Sequence, residues 1–198
     1  MGDGGFVNRD TGLCLVRERV ANENLVRHML ATEAIMGALA ERLGEDVERW
    51  KLAGLLHDLD VEQTAESMET HGTLTVQWLR EEGLDDEEVL QAIAAHNPAT
   101  GSVVESRMDR ALLACDPMTG LITAAALIRP EKKLELVALK SLKKRWKESA
   151  FAKGASREQM AGCEKLGIER DEYLQIALAA MQAHAAELGL PHEDAGGL

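Results

Sequence analysis

Apolar residues recur at helical spacing through most of the chain, and no stretch alternates apolar with polar positions over more than a few residues. The pattern predicts an all-α fold. Leu25, Met29, Met36, Leu39 and Leu43 fall on one side of a helix that Asn22 would cap and Gly44 would stop. Asp46 would cap a second, running through Val47, Trp50 and Leu55 toward His57. Leu74, Trp78 and Leu79 mark a helix after His71 that ends at Gly83. Asp85 and Glu88 have capping-box spacing for a helix carrying Val89, Ile93 and His96. Asn97-Pro98 would end it, because the residue before proline avoids the α region.

A long apolar segment from Glu105 to Ile128 contains Asp116-Pro117, where proline would remove one backbone hydrogen bond and bend the helix. A basic segment follows, then a second capping box at Ser156 and Gln159. A last helix runs from Asp171 to Leu188, closed by Gly189 and Pro191. The pattern divides the chain into an N-terminal segment, 1–21, and a helical core, 22–128. The basic segment and closing helices of the same domain occupy 129–190, and 191–198 is a tail expected to be disordered.

The chain has 198 residues, 45% hydrophobic and 28% charged, enough for one globular domain whose core needs no disulfide or structural metal. Cys14, Cys115 and Cys163 form no C-x-x-C pair, which excludes a disulfide framework and a thiolate zinc site. Reduced cytoplasm is the expected compartment. Polar residues precede any apolar run, and the longest nearly unbroken one, Leu121 to Ile128, is far short of the ~18–20 residues that span a bilayer, so no signal peptide and no membrane partner are expected.

A formal charge of -12 disfavours nonspecific attraction to nucleic acid, and six aromatic side chains are too few for a base-stacking platform. No specific nucleic-acid partner is expected. Charge is uneven: from Arg129 to Lys153, nine basic residues face three acidic ones, a net of +6, which leaves -18 on the remainder. That basic run is either a solvated face or a means of drawing phosphate to an acidic protein.

Four of the six histidines, His28, His57, His71 and His96, lie in the first half of the chain near predicted helix ends or on apolar sides. His184 and His192 are expected at the surface, and Cys115 in packing. His57 and Asp58 follow the apolar run Leu52 to Leu56, and burying such a pair is costly without a partner such as a divalent cation. Adjacent residues point ~100° apart on a helix, so the doublet converges on one ion only from a terminating turn, with other helices supplying the remaining ligands. His28 and Asp116 are the natural candidates. Imidazole and carboxylate without thiolate suit Mn, Fe, Co, Ni or Zn, with Mg admissible.

His28, the doublet in L-L-H-D-L-D, His71-Gly72, the A-A-H-N around His96, and Asp116 in L-L-A-C-D-P together resemble the HD-domain superfamily of metal-dependent phosphohydrolases. The resemblance covers residues 22–128, and the run onward to the last helix is similar to a group of small bacterial predicted HD hydrolases. It implies an HD-domain-like helical bundle with additional C-terminal helices, in which His28, His57, Asp58 and Asp116 hold a first metal. Family members with extra histidines, such as diadenosine tetraphosphate hydrolases and cyclic-dinucleotide phosphodiesterases, hold a second ion with the doublet carboxylate bridging. His71 and His96 match those extra ligands. The sequence departs from the family in two places: Asp60 and Val61 stand where many relatives have Gly and Lys, and the E-D pair of guanosine tetraphosphate hydrolases is absent, its nearest analogues being Asp60 and Glu62.

The resulting expectation is a phosphomonoesterase or phosphodiesterase acting on a nucleotide or other small phosphate ester through metal-activated water. Asp58, Asp60 and Glu62 are its catalytic candidates. Asn97, Arg129, Lys132, Lys133, Lys140 and Lys144 are its substrate-binding candidates. The competing readings are an HD-fold di-iron oxygenase and a nucleotide-binding module without turnover.

Overall fold

The structure, a computed structural model, describes residues 7–190. Its helices are α1 (Arg9–Arg19), α2 (Glu23–Leu43), α3 (Val47–Leu56), α4 (Thr73–Glu81), α5 (Glu87–Ala95), α6 (Arg107–Leu127), α7 (Leu139–Lys147), α8 (Arg157–Ala161) and α9 (Arg170–Ala183), with no strand among the described residues. The all-α expectation holds. The expected tail 191–198, with Pro191 and His192, lies outside the described residues.

Side-chain caps set most of the boundaries. Asn22 accepts the Asn24 N–H, Asp46 accepts the Arg49 N–H, and Ser106 exchanges hydrogen bonds with Asp109 in a capping box. The α5 cap is Asp86 rather than Asp85. Its carboxylate accepts the Glu88 and Val89 N–H groups, and Arg49 holds it at 2.6 and 2.7 Å. The last helix ends at Ala183 instead of Leu188, and turns carry the chain onward so that Ala185, Leu188 and Leu190 still reach the core. Both geometries bury the same residues, so periodicity alone does not separate them. Helix α1 went unpredicted because it buries little, Gly12 and Val16, and is capped by Asn8 with Thr11 rather than by a Glu or Gln box.

Two 21-residue helices organise the rest. Helix α2 packs on α3, α6 and α9, while α6 also meets α5, α7 and α8. Met29, Ile35, Met36 and Leu39 of α2 are fully buried with Leu55 and Leu56 of α3, Leu112 and Met118 of α6, and Tyr173 of α9. Where α3 crosses α2, a Cβ on Gly54 would stand 2.9 Å from the backbone of Thr32 and Glu33. That close approach brings the end of α3, and His57 with it, against α2.

Helix α6 runs to Leu127 with Pro117 inside it. By length and composition it is long and apolar enough to cross a bilayer, which the count of unbroken apolar residues did not register. In the fold, 61% of its apolar window is buried against other helices. Its hydrophobicity is used inside the domain.

Candidate metal centre

Four helices bring six side chains to one point. His28 comes from the second turn of α2, His57 from the C-cap of α3, His96 from the C-cap of α5 and Asp116 from the middle of α6. Asp58 follows His57 in a turn, and His71 precedes α4. Nε2 of His57, His71 and His96 stand 3.4, 3.2 and 3.3 Å from Asp58 Oδ1. His28 Nε2 lies 3.4 Å from Asp58 Oδ2 and 3.2 Å from Asp116 Oδ1.

The outer nitrogen of each ring is also engaged, which decides what the inner one presents. His57 Nδ1 is 2.8 Å from the Gly54 carbonyl and His96 Nδ1 is 2.5 Å from the Ile93 carbonyl. A carbonyl only accepts, so both Nδ1 atoms carry hydrogen and donate. His71 Nδ1 donates to the Asp60 carboxylate at 2.8 Å. The Thr119 hydroxyl donates to the Asp116 carbonyl at 2.8 Å, so its oxygen accepts from His28 Nδ1, also at 2.8 Å. In every neutral ring the Nε2 lone pair therefore points inward, the arrangement that prepares a histidine to bind metal.

Nε2 of His28 and His57 are 3.2 Å apart, as are those of His71 and His96. Facing lone pairs at that distance repel unless a proton or cation lies between them. Donor atoms about 2.0–2.1 Å from a shared ion stand about 3.0–3.4 Å from one another, so the observed spacing fits a ligand set. Two donor groups share Asp58: His28 with His57, and His71 with His96; a third joins His57, His96 and Asp116.

The carboxylates draw positive charge to these nitrogens. Burial lowers the pKa of His28, but hydrogen bonds to Asp116 and Asp58 outweigh it and raise it to about 10. Burial is likewise outweighed at His71, where Asp58 and Asp60 raise the value to about 10. At His57 burial prevails and holds the ring near 4, neutral at pH 7. Burial works against ionised Asp58, yet His57 and the hydrogen bonds from His28, His71 and His96 keep its carboxyl well below the usual range. Such a field favours a cation.

Residues 25–119 match the family described as HD domain, a span that runs from just before His28 to Thr119 and includes all six converging side chains. The chain carries an HD domain. The chain is 31% identical to ribonuclease Y of Thermosipho melanesiensis over 140 residues, 69% of this chain and 27% of that protein. It is 31% identical to ribonuclease Y of Lawsonia intracellularis over 115 residues, 58% and 20% of the two chains, and 34% identical to ribonuclease Y of Thermobifida fusca over 100 residues, 50% and 19%. The matched region thus spans about a fifth to a quarter of these relatives. No solved structure matches. The HD domain places this chain in the superfamily of metal-dependent hydrolases.

Three expected site residues of the HD domain have other work. Asp60, wholly buried, turns its carboxylate away from the cluster centre, accepting the Gly72 N–H at 2.8 Å and the Thr75 N–H at 3.0 Å beside His71. Its carboxylate thereby holds His71 and the start of α4 in place. Asn97 donates to the Met68 and His71 carbonyls at 2.6 and 3.1 Å and accepts the Ala99 N–H, so its amide holds the His71 loop. Glu62 is exposed and accepts the Ala21 and Asn22 N–H groups at 2.7 and 3.1 Å, tying down the start of α2.

Gly72 is a requirement that spacing did not reveal. Its φ is +89°, and a Cβ there would sit 2.9 Å from the Ile93 carbonyl oxygen and 3.1 Å from the His96 ring. Thr119 was missed too, since nothing in sequence links it to His28.

The structure does not bring the proposed basic residues to the cluster. A cleft of about 350 Å³ opens beside it, lined by His28, Asp116, Thr119 and Gly120 on one side and by Ala152, Gly154 and Ala155 on the other. Arg129, Lys132, Lys133, Lys140 and Lys144 are not among its lining residues. Arg129 approaches Glu131 at 3.7 Å, Lys144 approaches Glu148 at 3.9 Å, and Lys140 is exposed on α7. Replacing Lys140 or Lys144 with Ala is expected to change KM by less than about twofold, as for solvated charges. A tenfold rise in steady-state KM for either variant would restore them to the substrate path.

Proposed function

We propose that the protein is a phosphohydrolase that cleaves a phosphodiester of a nucleotide or short oligoribonucleotide, with one or two divalent ions held by the six-residue cluster. The observation that carries this reading is the Asp58 carboxylate between two imidazole pairs, with Oδ2 toward His28 and Oδ1 toward His57, His71 and His96. His28, His57, Asp58 and Asp116 would hold the first ion, and Asp58, His71 and His96 a second. Bound there, a divalent ion supplies a Lewis acid for a phosphoryl oxygen and a hydroxide nucleophile at neutral pH.

The chain's own part is orientation and access. Side chains of His57, Asp58, His71 and His96 are at most 9% exposed, whereas His28 is 21% and Asp116 34% exposed. Substrate therefore approaches across the His28–Asp116 edge. The Nδ1 anchors keep the four rings from turning as it does. The ribonuclease relatives favour a diester over a monoester, and short RNA replaces the expectation of no nucleic-acid partner. A net charge of -12 opposes a long polyanion, so the fitting substrates are short.

The test is metal analysis coupled to a panel of bis(p-nitrophenyl) phosphate, p-nitrophenyl phosphate, dinucleotides and short RNA with Mn, Co, Zn or Mg on one preparation. Diester cleavage lost with chelator and restored by metal is expected. Visible absorbance with stoichiometric iron and no phosphoester cleavage would put the di-iron oxygenase in its place. His71→Ala is expected to leave about half the metal while activity collapses, because clamping by two ions carries the reaction. A wild type that saturates with a single ion would make His71 a substrate-positioning or water-positioning group.

A further inference from the structure

One residue before His28, Arg27 projects into a second cleft. This cleft encloses about 410 Å³, within the range of small-molecule sites, and shares His28, Thr119 and Gly120 with the cleft beside the cluster. The two thus meet over the exposed edge of the metal centre. Its far wall is apolar, built from Leu127, Met181, Leu188 and Leu190.

Two features of Arg27 set it apart from the other arginines of this acidic chain. No hydrogen bond or ion pair among the described residues reaches its guanidinium, although 34 carboxylates are available in the sequence. The group also lies against Gly189, where a Cβ would come within 2.6 Å of Cζ and 2.7 Å of Nε. Any side chain at 189 would push it off that seat, and the glycine φ of +65° suits the turn that carries it. Arg27 is exposed at this cleft, and a planar cation without a protein partner there is a donor fork for phosphate oxygens. Leu127 is 49% exposed at the same wall, an apolar face left open to a ligand.

We propose that this cleft binds one nucleoside phosphate unit of the substrate, with Arg27 on its phosphate and the base against the exposed side chain of Leu127. This proposal rests on the phosphohydrolase reading of the neighbouring cluster and assigns that site its nucleotide selectivity. The unit would lie beside the scissile linkage, so a substrate with a phosphate and a ring on that side is preferred over a simple phosphate ester.

The test titrates full-length wild type, Arg27→Met, Arg27→Lys and Leu127→Gln calorimetrically with adenosine 5′-monophosphate and with inorganic phosphate, checking metal content in each. Affinity for the nucleotide is expected to fall roughly ten- to a hundredfold in Arg27→Met and to recover in part in Arg27→Lys. Leu127→Gln is expected to weaken the nucleotide several-fold while leaving inorganic phosphate unchanged. Equal nucleotide affinity in wild type and Arg27→Met, or no nucleotide binding by wild type, overturns the proposal. Phosphoester cleavage that persists with an unaltered KM in Arg27→Met sinks the cleft assignment and leaves the hydrolase standing. Nucleotide binding that depends on Arg27, without cleavage of any phosphoester, sinks the hydrolase reading and leaves the cleft.

Discussion

Asp58→Ala is expected to lose nearly all tightly bound metal and to cut turnover by about a thousandfold or more, because several kcal/mol of charge stabilisation leave with the ion. The expectation follows from position. Asp58 is the carboxylate that all four imidazoles face, and removing it leaves four inward nitrogens with Asp116 alone to balance a cation. Asp58→Asn keeps the shape and separates loss of charge from loss of fold. Metal analysis after exhaustive dialysis, with circular dichroism on the same samples, reads both. Full metal content in folded Asp58→Ala would remove Asp58 from the inner sphere and with it the proposed function.

Asp60 is expected to show the second large effect, on stability first. Its carboxylate is the acceptor for three buried donors: the Gly72 N–H, the Thr75 N–H and His71 Nδ1. Asp60→Ala strands all three, and at about 1–3 kcal/mol for each unsatisfied group, with incomplete additivity, a loss on the order of 3–5 kcal/mol is expected in denaturant unfolding. Asp60→Asn retains one accepting oxygen and the volume of the side chain. The variant is expected to fold while metal affinity drops about ten- to a hundredfold, the usual consequence of releasing a ligand histidine from its anchor. If Asp60→Asn instead lost one ion outright at unchanged stability, Asp60 would be a ligand and the positioning role would fail.

The contrast between these two aspartates shows how far the linear pattern reaches. In L-L-H-D-L-D they are two residues apart, both acidic and both buried. The chain leaves α3 at His57, and in the turns that follow Asp58 faces the cluster while Asp60 faces the start of α4. A two-residue step reads the same in sequence whichever way the turn rotates it.

Helix content, three of the side-chain caps and the donors His28, His57, Asp58 and Asp116 were legible from local chemistry, whereas His71 and His96 were legible as donors only through the resemblance to HD domains. Asn22, Asp46 and Ser156 accept from N–H groups two or three residues away, and buried histidine and aspartate after apolar runs require compensation wherever they occur. The roles of Asn97 and Glu62 were not legible, since their partners, the His71 carbonyl and the Ala21 N–H, are 26 and 41 residues distant. Where the basic run lies relative to the cluster was not legible either. Charge density along a chain says where cations are numerous, but the cation beside the cluster, Arg27, is isolated in sequence and reaches its cleft only because α9 and the turn at Gly189 fold back over α2. Periodicity and side-chain chemistry determined the helices and the first four donors of this protein. The tertiary structure alone decided which carboxylates face the cluster and which cation lines the cleft beside it, because those depend on contacts between segments that nothing local ties together.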